Sequence, residues 1–134
     1  MKILLTDDHA VVRHGLKQIL ADEFKKATFC EARNAQEALN KVWKETWDVV
    51  VLDITMPVLD GIEAARRLRR SRHPARLVFL TVHERREFAR AAFDAGGLGY
   101  VVKARLASDL VPAIRAALAD RRFISPTISL GENT

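Results

Sequence analysis

The sequence predicts an open, doubly wound α/β fold: a five-stranded parallel sheet with five helices packed over its two faces. Three observations carry this expectation. Short apolar runs alternate with helical patterns five times along the 134 residues. The runs are mostly continuous instead of alternating, as expected of strands covered on both faces. Strict β–α alternation also implies right-handed crossovers that return each helix to the sheet. A chain of this length is expected to form one domain.

The first run, residues 3–6, precedes a helical pattern in which Val12, Leu16, Ile19 and Leu20 share a face. The second, 27–31, precedes Ala35, Ala38, Leu39 and Val42 at the same spacing. The third, 48–53, is followed by Ile62, Ala65 and Leu68, and the fourth, 77–81, by Phe88, Ala92 and Ala95. The fifth, 99–102, leads to Leu110, Ile114 and Leu118. Gly96-Gly97 stands where a left-handed helix cap belongs. Ser108 is expected to cap the fifth helix, with Pro112 in its first turn, where no intrahelical donor is lost. These signals place a domain over residues 1–124 and a linker-like tail, containing Pro126 and Gly131, over 125–134.

Hydrophobic residues make up 49% and charged residues 29%, as in ordinary soluble globular proteins. No apolar stretch reaches membrane-span length, and Met1-Lys2 leads straight into a strand-like run without a signal-peptide pattern. Cys30, the single cysteine, is expected to be a buried structural thiol in a reducing, cytoplasmic setting. The net charge of +5 is unevenly placed: nine arginines face three glutamates between Gly61 and Arg90. Few aromatics accompany them, so a solvated helix face is favoured over a docking platform for an acidic partner.

Four of the apolar runs end in reactive polar residues. Ile3-Leu4-Leu5-Thr6 stops at Asp7-Asp8, Val49-Val50-Val51-Leu52 at Asp53, Leu77-Val78-Phe79-Leu80 at Thr81, and Tyr100-Val101-Val102 at Lys103. In a parallel sheet these ends share one edge, and ligands bind there, at the point where strand order reverses. Three crowded carboxylates repel one another, and a hard divalent cation relieves the conflict. Magnesium suits an all-oxygen set better than zinc, because His9, His14, His73 and His83 are scattered and no Cys/His set has zinc spacing. A carboxylate beside such an ion can act as a nucleophile and form an acyl phosphate, with Lys103 and Thr81 placed to contact its oxygens.

With these residues in place, the chain resembles the receiver domain of bacterial two-component response regulators. The acidic pair Asp7-Asp8, the stretch Asp53-Ile54-Thr55-Met56-Pro57 with Asp60-Gly61, Thr81, and Gly99-Tyr100 with Lys103 carry the resemblance over residues 2 to about 124. The stretch from Asp53 through Ala64, with Asp109-Leu110-Val111-Pro112 and Arg122-Phe123-Ile124-Ser125-Pro126, is similar to the NarL/FixJ (LuxR-type) subfamily. The resemblance implies the flavodoxin-like strand order 2-1-3-4-5. It implies Asp53 as phosphoacceptor and Mg2+ as cofactor. Asp8 and Asp53 would bind the ion directly, Asp7 through water, and the Thr55 backbone carbonyl would complete the protein ligands. Lys103 would contact the phosphoryl group, Thr81 would move towards it, and Tyr100 would change rotamer in response. Thr55 and His83 would tune the dephosphorylation rate.

The implied partners are a sensor histidine kinase, a second copy of the chain after phosphorylation through helices one and five, and DNA through a C-terminal effector domain. Two departures from the family pattern are visible. Ala104 follows Lys103 where many members have proline, and Gly97 stands where alanine is commoner, which is expected to loosen the loop before Tyr100. The tail favours a receiver cut from a longer transcription factor over a stand-alone regulator working through protein contacts.

Two other classes compete. An aspartate-nucleophile, magnesium-dependent phosphohydrolase normally has a second Asp two positions after the first as general acid, and here that position is Thr55. A flavin carrier of similar fold needs a Ser/Thr/Gly-rich phosphate loop after the first strand, and here that loop is Asp7-Asp8-His9.

Overall fold

Every residue of Val49–Asp53 and of Leu77–Thr81 is buried, and these two strands form the middle of the sheet. The computed structural model of the chain describes residues 1–128, so most of the tail expected at 125–134 lies outside the described residues. In chain order the elements are β1 (Lys2–Thr6), α1 (Ala10–Glu23), β2 (Thr28–Ala32), α2 (Ala35–Lys44), β3 (Val49–Asp53) and α3 (Gly61–Arg70). There follow β4 (Leu77–Thr81), α4 (Arg86–Asp94), β5 (Gly99–Val102), a 3-10 turn over Lys103–Arg105, α5 (Leu106–Leu118) and β6 (Phe123–Ile124).

All strand pairs are parallel, in the order β2-β1-β3-β4-β5-β6. The first five follow the expected order. The sixth, a two-residue strand on the β5 edge, was not expected. On one face Leu16 and Leu20 of α1 pack with Leu110 and Ile114 of α5 against Ile3, Val51 and Val78. On the other, α2, α3 and α4 supply Leu39, Val42, Ile62, Leu68, Ala92 and Phe93 around Leu52 and Phe79. The predicted helix faces are thus the packed ones. On α3, Arg66, Arg67 and Arg70 fan around Glu63 at 3.9, 3.6 and 3.0 Å, consistent with a solvated basic face.

Four local expectations change. The 3-10 turn carries the chain directly from Lys103 into α5, so the helix starts at Leu106 and Ser108 lies inside it. The Ser108 hydroxyl donates to Asp109 Oδ1 at 3.0 Å instead of capping, and Pro112 falls in the second turn. Gly96 does take the left-handed conformation, at φ +104°. Gly97, however, tightens its loop instead of loosening it: a Cβ there would meet the Phe79 ring at 2.4 Å and the Ala92 carbonyl oxygen at 2.9 Å. Cys30 is half-buried, with its side packed against the core. Val58, in the β3–α3 loop, is fully exposed and held at φ 71°, where a β-branched residue is strained.

Candidate functional site

Register builds the site. Asp53 lies beside Leu80 in the β3–β4 ladder, and Thr81 beside Val102 in the β4–β5 ladder. Thr6 pairs with Leu52, so Asp7 leaves β1 at the same rim, and Lys103 follows β5 there. Gly61 is obligatory at the start of α3, because a Cβ would strike the Asp53 carbonyl oxygen at 2.4 Å. The missing side chain lets the helix begin directly against the end of β3.

The Lys103 ammonium joins the two buried carboxylates, donating to Asp7 Oδ2 and to Asp53 Oδ2, each at 3.0 Å. Asp7 Oδ1 accepts the backbone N–H of His9 at 2.8 Å, and Asp53 Oδ1 that of Thr55 at 3.2 Å. Asp8 is exposed, with its Oδ1 3.1 Å from His9 Nδ1. An open pocket of about 180 Å3 lies over the site, lined by His9, Asp53, Thr55, Val82 and Lys103.

The carboxylates respond differently to burial. Desolvation pushes Asp53 up to about 6, the neighbouring Asp7 charge adds to the rise, and Lys103 offsets only part of it. Burial also raises Asp7, but the His9 N–H and Lys103 outweigh it and hold Asp7 below the usual carboxylate range. Lys103 would be lowered by burial, yet its bonds to Asp53 and Asp7 hold it above its ordinary value. One ammonium shared by two buried carboxylates therefore leaves Asp53 under-compensated.

A further cation fits that deficit. Asp7, Asp8 and His9 bring one ligand atom each to within 4.8 Å of one another, beside the Asp7–Lys103–Asp53 chain. The donors of the expected set, three carboxylates and the Thr55 carbonyl, are hard oxygens of the kind magnesium prefers. His9 was missed as a neighbour of this set; its adjacency to the acidic pair was the available signal.

The expected switch residues form a connected group. Thr81 is buried, and its Oγ1 accepts the His83 backbone N–H at 2.9 Å. Tyr100 is fully buried, with its hydroxyl donating to the His83 carbonyl oxygen at 3.1 Å. Burial raises the Tyr100 pKa, partly countered by the Thr81 side chain. The His83 ring stacks on Phe88, centroids 4.2 Å apart, and its Nε2 lies 3.3 Å from the Thr55 hydroxyl. His83 thus touches Thr55, Thr81 and Tyr100 at once, a linkage that sequence order does not reveal.

A second buried polar group lies beside the rim. Asp109 accepts from Arg105 Nε at 2.8 Å and from the Ser125 hydroxyl at 2.7 Å, and the Ser125 oxygen accepts the Val102 N–H at 3.0 Å. Ser125 and Ile128 are both buried, so the first residues of the expected tail pack against the body.

The family described as "Response regulator receiver domain" matches residues 3–115. Among curated relatives, the response regulator GacA of Pseudomonas syringae pv. syringae (strain B728a) is 36% identical over 129 residues, covering 96% of this chain and 60% of the relative. The response regulator UvrY of Escherichia coli (strain K12) is 33% identical, covering 96% of this chain and 59% of the relative. The chain therefore spans about 60% of the length of these relatives. A solved LuxR-family two-component response regulator from Aurantimonas sp. SI85-9A1 superposes with TM-score 0.87 at 41% identity, covering 95% of this chain and 91% of that one.

Proposed function

Because the chain belongs to the response regulator receiver domain family, as a receiver domain of two-component signal transduction, we propose that Asp53 is its phosphoacceptor and that phosphorylation there switches the surface around β5 and α5. The observation that carries this reading is the pair of 3.0 Å bonds from Lys103 to Asp7 and Asp53. They put a nucleophilic carboxylate, a second acid and a cation at one point of the rim.

An Asp53 carboxylate oxygen attacks the phosphorus of a phosphohistidine on a sensor histidine kinase. A new O–P bond forms as the P–N bond breaks, and the freed imidazole leaves with its electron pair. Asp7, Asp8, Asp53 and the Thr55 carbonyl would hold Mg2+, which when bound supplies charge neutralisation to the phosphoryl oxygens. Lys103 exchanges a carboxylate partner for a phosphoryl oxygen, which carries more negative charge. The Thr81 hydroxyl leaves the His83 N–H and donates to another of those oxygens. His83 then loses one of its anchors, and its carbonyl is the acceptor of the Tyr100 hydroxyl. The transferred group thereby biases an equilibrium of the β4–α4 loop and Tyr100, because Thr81 bonds differently in the two states.

The Thr55–His83 contact supports roles for both residues in tuning dephosphorylation. It joins a ring fixed by stacking on Phe88 to a residue that lines the pocket over Asp53. The domain acts as a regulator that catalyses only its own phosphoryl transfer and loss. Thr55, where a phosphohydrolase would have its general acid, has no carboxyl group. Dimerisation is assigned to α1 and α5, on whose side Val12, Ile19, Val111 and Leu118 are only partly buried. The output is assigned to a DNA-binding effector domain.

The test is incubation with acetyl phosphate and Mg2+ followed by intact mass. One added phosphoryl group is expected, absent with EDTA and absent in Asp53→Asn. Unchanged labelling of Asp53→Asn would remove the assignment.

A further inference from the structure

Arg13 is a buried charged residue that the phosphotransfer reading leaves without a role. It lies in the second turn of α1, with only 10% of its side chain exposed. Its Nη1 donates to the backbone carbonyl oxygen of Asp7 at 2.7 Å, and its Nε to Glu31 Oε1, also at 2.7 Å. We propose that Arg13 is a positioning residue for the metal-binding carboxylates, holding the Asp7–Asp8 peptide so that both side chains face the rim. The inference rests on the receiver reading and adds a residue to it.

The Asp7 carbonyl and the Asp8 N–H belong to one rigid unit, so fixing the oxygen fixes the orientation of the whole plane and the position of the Asp8 Cα. Arg13 fixes that oxygen from behind. The Asp7 N–H is held separately by the Ala32 carbonyl oxygen at 3.2 Å, which anchors the other side of the residue. At its helical end the loop is closed by the Asp7 carboxylate, whose Oδ1 accepts the His9 N–H at 2.8 Å, and that bond leaves the Asp7 carbonyl to Arg13. His9 at the N-cap of α1 makes no side-chain capping bond, and the first turn of α1 has no acidic residue. An arginine suits the task because its planar fork satisfies two acceptors in different directions and remains charged when buried. Glu31 on β2 sets the direction of the fork and balances its charge.

The experiment is calorimetric titration of Mg2+ into the whole chain, comparing the native protein with Arg13→Ala, Arg13→Lys and Glu31→Gln. Groups that orient metal ligands from behind typically change affinity about 10- to 100-fold. Arg13→Ala is expected to weaken Mg2+ binding by about 10-fold or more. Arg13→Lys should recover part of that, since an ammonium can reach only one of the two acceptors well. Glu31→Gln keeps an acceptor for Nε and should stay within about threefold of the native protein. Hydrogen exchange at the Asp8 and His9 amides, measured without metal, should accelerate in Arg13→Ala.

An Arg13→Ala protein that melts earlier but binds Mg2+ within twofold of the native protein would overturn the inference and make Arg13 purely structural. Should Arg13→Ala fail to fold, native-like affinity in Arg13→Lys would overturn it equally. Native protein that takes up no Mg2+ overturns the metal reading itself, and this inference with it. Normal native uptake with indifferent variants refutes the role of Arg13 alone.

Discussion

Asp53→Asn should stabilise the metal-free domain near neutral pH, although it removes the residue on which function depends. Burial raises Asp53 from 3.8 to about 6, so the folded state holds its proton more tightly than the unfolded chain does. The sign follows directly. Between those values the folded state binds more protons, so the carboxylate form is a burden on the fold that grows as pH rises through 6 and is relieved as pH falls towards 3.8. The rise from 3.8 to about 6 corresponds to about 3 kcal/mol above pH 7, with the attraction to Lys103 already included. Asn resembles the protonated carboxyl in shape and charge, so the variant should gain about 2–3 kcal/mol at pH 7.5. Urea melts in EDTA at pH 7.5 and 4.5 measure this. The gain should shrink strongly at the lower pH, and added Mg2+ should narrow it at pH 7.5 by stabilising only the native protein. A variant less stable than the native protein at pH 7.5, or a difference that ignores pH, would refute the reasoning.

Val58→Gly should stabilise by about 0.5–1 kcal/mol in urea melts, since relief of left-handed strain in an exposed β-branched residue outweighs the added chain entropy of glycine. Gly97→Ala should destabilise by about 1–3 kcal/mol through its collision with the Phe79 ring, and Phe79→Leu in the same chain should return part of that. Ser125→Ala should cost about 1–2 kcal/mol and speed hydrogen exchange at Val102, because the buried Asp109 and the Val102 N–H each lose a partner. Burial raises the Asp109 carboxyl, but its bonds to Arg105, Ser125 and Ser108 prevail and hold it below 3.8. Its contribution is therefore present above that value and lost as pH falls through the lower folded one. In Asp109→Asn the acid side of the stability–pH curve should flatten.

The strands and helices were legible because each apolar run was long enough to declare its period. Val49–Asp53 and the Ala35, Ala38, Leu39, Val42 face fold as their patterns imply. β6 was not legible: Phe123 and Ile124 follow two arginines, and two residues set no period. The start of α5 is not legible, because a serine hydroxyl looks the same in sequence whether it caps a helix or bonds a neighbouring Asp109. Asp7, Asp53, Thr81 and Lys103 were legible for a geometric reason, since each ends an apolar run and parallel strands bring such ends to one rim. Arg13, Asp109 and Ser125 were not. Each sits inside or beyond a regular element, and its role depends on a partner from a distant part of the chain. Gly97 carried the wrong message for the same reason, because only the packed Phe79 ring shows why no side chain fits.

The central claim is that Asp53 itself receives the phosphoryl group. Reduction of the phosphorylated protein with borohydride, followed by peptide sequencing in a mass spectrometer, reads the acceptor directly, because an acyl phosphate is converted to an alcohol at the labelled residue. Homoserine is expected at position 53 in place of aspartate, dependent on Mg2+ and lost without Lys103. Modification at Asp7, Asp8 or Asp60, with Asp53 intact, would contradict it.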